Sequence, residues 1–240
     1  TLIQIGTNLA NDYFDFRKGA DTKDRLGPAR VTQKGWVSPK QVAVATVVAF
    51  ALSVFVGLYL VHVGGLPILA IGVASIISGV LYTGGPRPLG YLGLGDVFVL
   101  VFFGPVAVCG TYYVQALDIS ITSVWASISV GFLATAILVV NNLRDRKTDV
   151  LANKRTLAVR LGAGGARAEY LLLVGGSYGS LFIPIALYQA TYGWLLPWLS
   201  LPLAIKEIRA IYGKDGAALN PHLGGTAKLG LVFGLLLALG

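Results

Sequence analysis

Two short windows of this chain combine carboxylates, amides and basic residues in a pattern that could do chemistry. The first, NLANDYFDFRKGAD, spans residues 8–21 and carries Asn11, Asp12, Asp15 and Asp21. The second, NNLRDRKTD, spans residues 141–149 and carries Asn142, Asp145 and Asp149. Asn11 and Asp15 are four residues apart, as are Asp145 and Asp149, while Asn142 and Asp145 are three apart, so each set lies on one face of a helix. Like charges on one face repel and call for a compensating cation. A ligand set of Asp and Asn oxygens without Cys or His suits a hard ion, Mg²⁺ before Zn²⁺. Mg²⁺ held by a few carboxylates completes its shell with water and phosphate oxygens, and the neighbouring Arg and Lys would meet the rest of the same polyanion's charge. The plainer alternative is a solvated loop whose acids are neutralised by adjacent bases; two Asn-led windows with the same spacing argue against it.

The elements that carry these windows are apolar. Hydrophobic residues make up 55% of the 240 and charged residues only 12%, with a mean hydropathy of +0.72, which places the chain among integral membrane proteins. Apolar runs occur near Val42–Val63, Leu66–Thr83, Leu94–Gln115, Ile119–Val140, Tyr170–Ala190, Leu195–Ile205 and Leu223–Leu239, most of them close to the roughly 20 residues that a spanning helix needs. The run at Leu195–Ile205 is the weakest, broken by Pro197 and Pro202. Thr1–Ala10 reads as the end of a further span, so the expected fold is all-α and polytopic: eight spans here, the first partial, with another expected to precede them. The runs are continuously apolar rather than alternating, which favours helices over a β-barrel.

The chain carries 19 Lys and Arg against 11 Asp and Glu, but the basic residues cluster in alternate connections. That is the positive-inside pattern, which places the charged loops and both acidic windows at the cytoplasmic face; no nucleic-acid partner is expected. Cys109 reads as a packing residue, and His62 and His222, at span ends, as solvated or interfacial rather than metal-bound. A membrane body with acidic clusters and basic loops at one face suits a substrate with a diphosphate head and a hydrocarbon tail. The Asn-led windows recur at an interval of a little over half the chain, consistent with a two-fold pseudo-repeat around 1–115 and 119–240 within one domain, 1–240.

On these windows the sequence resembles the intramembrane aromatic prenyltransferase superfamily typified by 4-hydroxybenzoate polyprenyltransferase. Asn11-x-x-x-Asp15 is similar to the first part of the family's N-x-x-x-D-x-x-x-D motif, and Asp145-Arg146-Lys147-Thr148-Asp149 to its D-x-x-x-D motif. The last acid of the first motif would fall at Gly19, with Asp21 the nearest candidate. The stretch Tyr82-Thr83-Gly84-Gly85-Pro86-Arg87-Pro88-Leu89-Gly90-Tyr91-Leu92-Gly93-Leu94-Gly95-Asp96, followed by Phe102-Phe103-Gly104-Pro105, resembles the branch that prenylates 1,4-dihydroxy-2-naphthoate for menaquinone or phylloquinone. The resemblance implies about nine helices around a central cavity, and Mg²⁺-dependent transfer of a polyprenyl group from its diphosphate to the aromatic ring with loss of diphosphate and CO₂. It also implies a membrane-embedded enzyme in contact with lipid, expected in a bacterial plasma membrane. Asn11, Asp12, Asp15, Asp21, Asn142, Asp145 and Asp149 would then hold metal, and Lys18, Arg30, Arg144 and Lys154 the diphosphate oxygens. Tyr82 and Asp96 would position or deprotonate the acceptor, or else cap the Gly/Pro-rich loop. Transfer to 4-hydroxybenzoate is the alternative within the class. A transporter, which predicts acids at mid-span rather than at span ends, is the alternative outside it.

Overall fold

A computed structural model describes residues 1–19, 26–28 and 30–240. The described residues are helical, without a strand. They form two compact units, one of residues 1–95 and 147–156 and one of residues 96–146 and 157–240.

The first unit begins with α1 (Leu2–Arg17). Its last turn closes with the Lys18 N–H on the Phe14 carbonyl at 2.9 Å, and Gly19, at φ +66°, turns the chain out of the helix. Residue 19 is where the family pattern would place a further acid, but α1 has ended before it, so an acid there would lie off the helical face. Asp21 lies outside the described residues.

The next helix, α2 (Pro39–Leu81), opens on a capping box in which the Ser38 hydroxyl accepts from the Gln41 N–H and the Gln41 side chain accepts from the Ser38 N–H, with Pro39 in the first turn. Its 43 residues would reach about 65 Å if straight, twice a hydrocarbon core of about 30 Å. The chain solves this at Gly65, whose φ of 68° and ψ of −156° break the helix beside Pro67. Gly6 of α1 packs under the Phe50 ring and Thr7 packs on Gly79. Phe50 and Gly79 lie at similar distances before and after Gly65, so the two limbs run back along one another against α1. They match the apolar runs at Val42–Val63 and Leu66–Thr83. Val47, Phe55, Leu58, Tyr59 and Leu66 project outward and exposed, as lipid-facing residues do. The unit is completed by the loop after Leu81, with a 3₁₀ turn at Leu89–Leu92, and by residues 147–156.

In the second unit the span 95–116 is α3 (Gly95–Val101) and α4 (Ala107–Ala116), joined by a π turn at Phe102–Val106 that accommodates Pro105. Gly104 in that turn meets Gly131 of α5 (Ile121–Leu151) backbone to backbone; a Cβ at Gly104 would lie 2.7 Å from the Ser127 carbonyl. α6 (Leu157–Gly179) kinks at Gly162 and leads into α7 (Phe182–Tyr188). The weak run is a 3₁₀ segment, Tyr192–Ser200, holding Pro197, followed by α8 (Leu201–Gly213) with Pro202 in its first turn. Each proline therefore sits where no α-helical hydrogen bond is lost. The chain ends in α9 (Asn220–Leu239). Leu133, Val140, Tyr170, Val174, Leu229 and Phe233 fill the core among these helices. Among the described residues five helical spans are long and apolar enough to cross a membrane, fewer than the eight expected from the apolar runs, and the protein is an integral membrane protein.

In the first turn of α9, the solvated alternative for His222 does not hold: the side chain is buried, with Nδ1 2.7 Å from the Glu207 carboxylate and Nε2 2.8 Å from Lys214 Nζ. An apolar setting draws these polar groups together instead of leaving each to water.

Candidate active site

The last turns of α1 carry Asn11, Asp12 and Asp15, which are met by the segment before α2, by the loop after it and by residues 147–156. Thr83 donates its hydroxyl to Asn11 Oδ1 at 2.7 Å, and Thr32 donates to Asp12 Oδ1 at 2.6 Å. Tyr91 donates its hydroxyl to Asp15 Oδ1 at 2.9 Å, Lys154 Nζ lies 3.1 Å from both Asp15 oxygens, and Arg30 Nη2 lies 3.9 Å from Oδ2. The Asp15 side chain is only 4% exposed. Lys18 donates to the carbonyls of Thr83 at 2.6 Å and Gly85 at 3.2 Å, tying the end of α1 to the loop.

Local sequence explains these approaches. Gly84 lets the loop lie on α1, because a Cβ there would fall 2.9 Å from the Phe14 ring. Tyr82 packs its ring on Gly90, whose N–H donates to the Tyr82 carbonyl at 2.9 Å. Beyond α5, Asn153 adopts the left-handed conformation at φ 54°, and the Lys154 N–H returns to the Asp149 carbonyl at 2.8 Å. This is a Schellman-type stop. It turns the chain just past the end of α5, at Asn153, and delivers Lys154 to Asp15.

Among the described residues the charge balance is positive: Lys18, Arg30 and Lys154 stand against the buried carboxylates Asp12 and Asp15, and Asp15 faces Lys154 and Arg30. Most of the Lys18 side chain is exposed, but its ammonium end lies against the loop. Burial of that end pulls it below the usual lysine value, Asp15 opposes the shift, and Lys154 adds to it. A cluster with surplus cations and oxygen donors on one helix end is suited to a polyanion.

The other expected residues lie in the second unit or on α5. Asn142 is buried, and Asp145 is gripped by its neighbour Arg144, with Nε 2.8 Å from Oδ1 and Nη2 2.6 Å from Oδ2. The same guanidinium donates to Asn141 at 2.7 Å and Asn220 at 3.1 Å, and its side chain is 1% exposed. Arg144, placed among the diphosphate ligands by the sequence, thus braces Asp145 within the second unit. Asp149 lies one turn beyond Asp145 on α5. Asp96, second in α3, is 6% exposed, and neither carboxylate oxygen receives a hydrogen bond from another described residue. Sequence reasoning passed over Thr32, Thr83, Tyr91 and Asn220. Thr83 and Tyr91 lie within the glycine-rich stretch already singled out, but nothing in their spacing marks them.

Among the described residues no three His, Cys, Asp or Glu side chains gather closely enough to cage a metal. The donors are nonetheless all oxygens, and Mg²⁺ is commonly held by one or two carboxylates with substrate phosphates rather than by an all-protein cage. Asn11 and Asp15 on α1, and Asp145 and Asp149 on α5, are each donors of that kind.

The profile of the UbiA prenyltransferase family matches residues 1–220. The chain is 41% identical to the 1,4-dihydroxy-2-naphthoate octaprenyltransferase of Escherichia coli (strain K12), an alignment covering all of this chain and 80% of that protein. It is 39% identical to the Mycobacterium tuberculosis protein of the same name, over 98% of this chain and 79% of that one. The zebrafish UbiA prenyltransferase domain-containing protein 1 is 31% identical over the whole chain and 70% of its own length.

Proposed function

The chain belongs to the UbiA prenyltransferase family and is a transferase, and from that premise we propose that it moves a polyprenyl group from its diphosphate to 1,4-dihydroxy-2-naphthoate, releasing diphosphate and CO₂. The observation that carries the proposal is the Asp15 cluster, in which Lys154, Arg30 and Tyr91 converge on one buried carboxylate at the end of α1. The naphthoate acceptor is supported by the names of the bacterial relatives and by the Tyr82–Asp96 stretch.

In this reading Lys154, Arg30 and Lys18 bind the diphosphate oxygens. Asn11, Asp15, Asp145 and Asp149 would hold Mg²⁺, which supplies Lewis-acid stabilisation of the leaving diphosphate, with Asp12, Asn142 and, outside the described residues, Asp21 as further oxygen donors. Arg144 keeps the Asp145 carboxylate oriented. As the allylic C–O bond breaks, its electron pair leaves with the diphosphate, where the lysines and arginine meet the growing charge. The allylic carbon is then attacked by the electron-rich ring, which loses its carboxylate as CO₂ and regains aromaticity. Asp96, a buried carboxylate without a donor among the other described residues, would accept a hydrogen bond or proton from an acceptor hydroxyl, and Tyr82 would help shape that end of the loop. In this reading residues 1–240 belong to one catalytic domain, its charged loops facing the cytoplasm as the positive-inside pattern suggests, in a bacterial plasma membrane.

The test is product analysis by mass spectrometry. Membranes carrying the protein receive Mg²⁺, a polyprenyl diphosphate, and equal amounts of the naphthoate and 4-hydroxybenzoate. A prenylated naphthalenediol without its carboxylate is expected. A prenylated benzoate would move the acceptor to the alternative ring, and no product would overturn the assignment. In the same assay Asp145→Ala should abolish Mg²⁺-dependent turnover while leaving the thermal unfolding profile intact; retained turnover would remove Asp145 from the metal set.

A further inference from the structure

Tyr91 lies at the centre of the Asp15 cluster, yet neither acidic window contains it. Its hydroxyl donates to Asp15 Oδ1 at 2.9 Å, and its ring carries two ammonium groups, Lys154 Nζ at 4.8 Å and Lys18 Nζ at 5.1 Å from the centroid. Both distances fall within the roughly 6 Å over which a cation is drawn to an aromatic face. Two ammonium groups drawn to one ring carry like charge and repel each other. The ring's negative face and the Asp15 carboxylate are what allow them to share the space.

The backbone of Tyr91 is anchored as firmly as its side chain. It sits in the 3₁₀ turn Leu89–Leu92, closed by Gly93 in the left-handed region at φ 71° and by the Leu94 N–H on the Leu89 carbonyl at 3.3 Å. Its own carbonyl accepts the Arg155 N–H at 3.0 Å. Tyr91 is therefore bonded through its main chain to the segment bearing Lys154 and through its side chain to α1. A residue that merely packed would need neither the hydroxyl nor the paired cations.

We propose that Tyr91 is a positioning residue that sets both elements of the diphosphate site at once, its ring seating Lys18 and Lys154 for the phosphate oxygens and its hydroxyl orienting Asp15 toward the metal. The proposal rests on the reading that this cluster binds a prenyl diphosphate, and it separates two functions within one side chain. The hydroxyl governs the carboxylate, as outer hydrogen bonds govern metal ligands generally. The ring governs the lysines.

The experiment compares wild-type protein, Tyr91→Phe, Tyr91→Trp and Tyr91→Leu, each full length and in detergent, with inorganic diphosphate as the probe. Diphosphate binding is measured by calorimetry across a Mg²⁺ titration, and prenyl transfer is measured alongside. Tyr91→Phe keeps the ring, so diphosphate affinity at saturating Mg²⁺ should stay within about twofold, while the Mg²⁺ needed for half-maximal binding rises by about 10- to 100-fold. Tyr91→Leu removes the lysine seat as well, and affinity at saturating Mg²⁺ should fall by about tenfold. Tyr91→Trp should recover that loss without recovering the Mg²⁺ requirement. If Phe and Leu behave alike, or if Leu binds diphosphate as wild type does, the proposal is overturned. Should the Leu variant not fold, the contrast between Phe and wild type in Mg²⁺ requirement decides, and an unchanged requirement overturns it. Wild-type protein that binds diphosphate but transfers no prenyl group would sink the enzymatic reading alone, since the Tyr91 comparison is read from binding.

Discussion

Replacing Asp15 with asparagine leaves the shape of the side chain and removes its charge. Tyr91 can still donate to the remaining carbonyl oxygen, but Lys154 Nζ, 3.1 Å from both oxygens, then faces an amide with one acceptor and one donor. A hydrogen bond to a charged partner contributes about 1.5–3 kcal/mol, and breaking a fully buried ion pair costs about 3–5 kcal/mol. The cations here are not fully buried: the Lys154 side chain is 17% exposed and that of Arg30 24%. Both can turn partly to water, which places the loss near the lower bound, about 2–3 kcal/mol. For a protein of this size each kcal/mol lowers the unfolding midpoint by roughly 2–4 °C, so Asp15→Asn should unfold about 5–10 °C below wild type. The assay is thermal unfolding of the detergent-solubilised protein, repeated for Lys154→Gln and for the double variant. If the pair acts as the geometry indicates, Lys154→Gln should cost about 1–2 kcal/mol less in the Asp15→Asn background than in the wild type. Strictly additive losses, or an Asp15→Asn midpoint equal to wild type, would refute the reasoning, since the cations would then be held by something other than Asp15.

Other consequences are sharper in contrast than in absolute size. Gly104→Ala would press a methyl group against the Ser127 carbonyl and the Gly131 backbone, whereas Gly110→Ala, in the same span, meets nothing within 4 Å. The first should lose about 1–3 kcal/mol and the second almost nothing; equal unfolding midpoints would show that the two helices separate freely. Lys18 makes a pH prediction. Its folded value lies below the ordinary 10.5, so between the two values the unfolded chain binds more protons and this group's contribution to stability rises with pH. Its charge is lost earlier than that of an ordinary lysine, so KM for the prenyl diphosphate should climb on the alkaline side. Lys18→Arg should flatten that climb, and an alkaline limb unaltered by the substitution would exclude Lys18 as its source.

What could be read from the chain alone was whatever repeats or counts along it. Runs of apolar residues long enough for a bilayer identified the spans, because length and hydropathy are local properties that no tertiary contact can reverse in lipid. Helical spacing put Asn11 with Asp15 and Asp145 with Asp149, because a helix fixes that geometry by itself. Partnership was not legible. Lys154 and Asp15 are separated by 139 positions, and they meet because Asn153 turns the chain back after α5 and Gly84 lets the loop rest on α1. Side chains of the same charge served different ends: Lys154 faces Asp15 within a cationic cluster, while Arg144 is bonded to Asn141, Asp145 and Asn220. His222, read as interfacial, is held between Glu207 and Lys214. Tyr91 carried no periodic signal, since its importance comes from three segments converging on one ring. The sequence thus determined which segments are apolar enough to cross a membrane and which carry acids, though not that Leu195–Ile205 would divide into a 3₁₀ segment and α8; only the tertiary structure decided which charges face each other, because a side chain's partner depends on where distant turns return the chain.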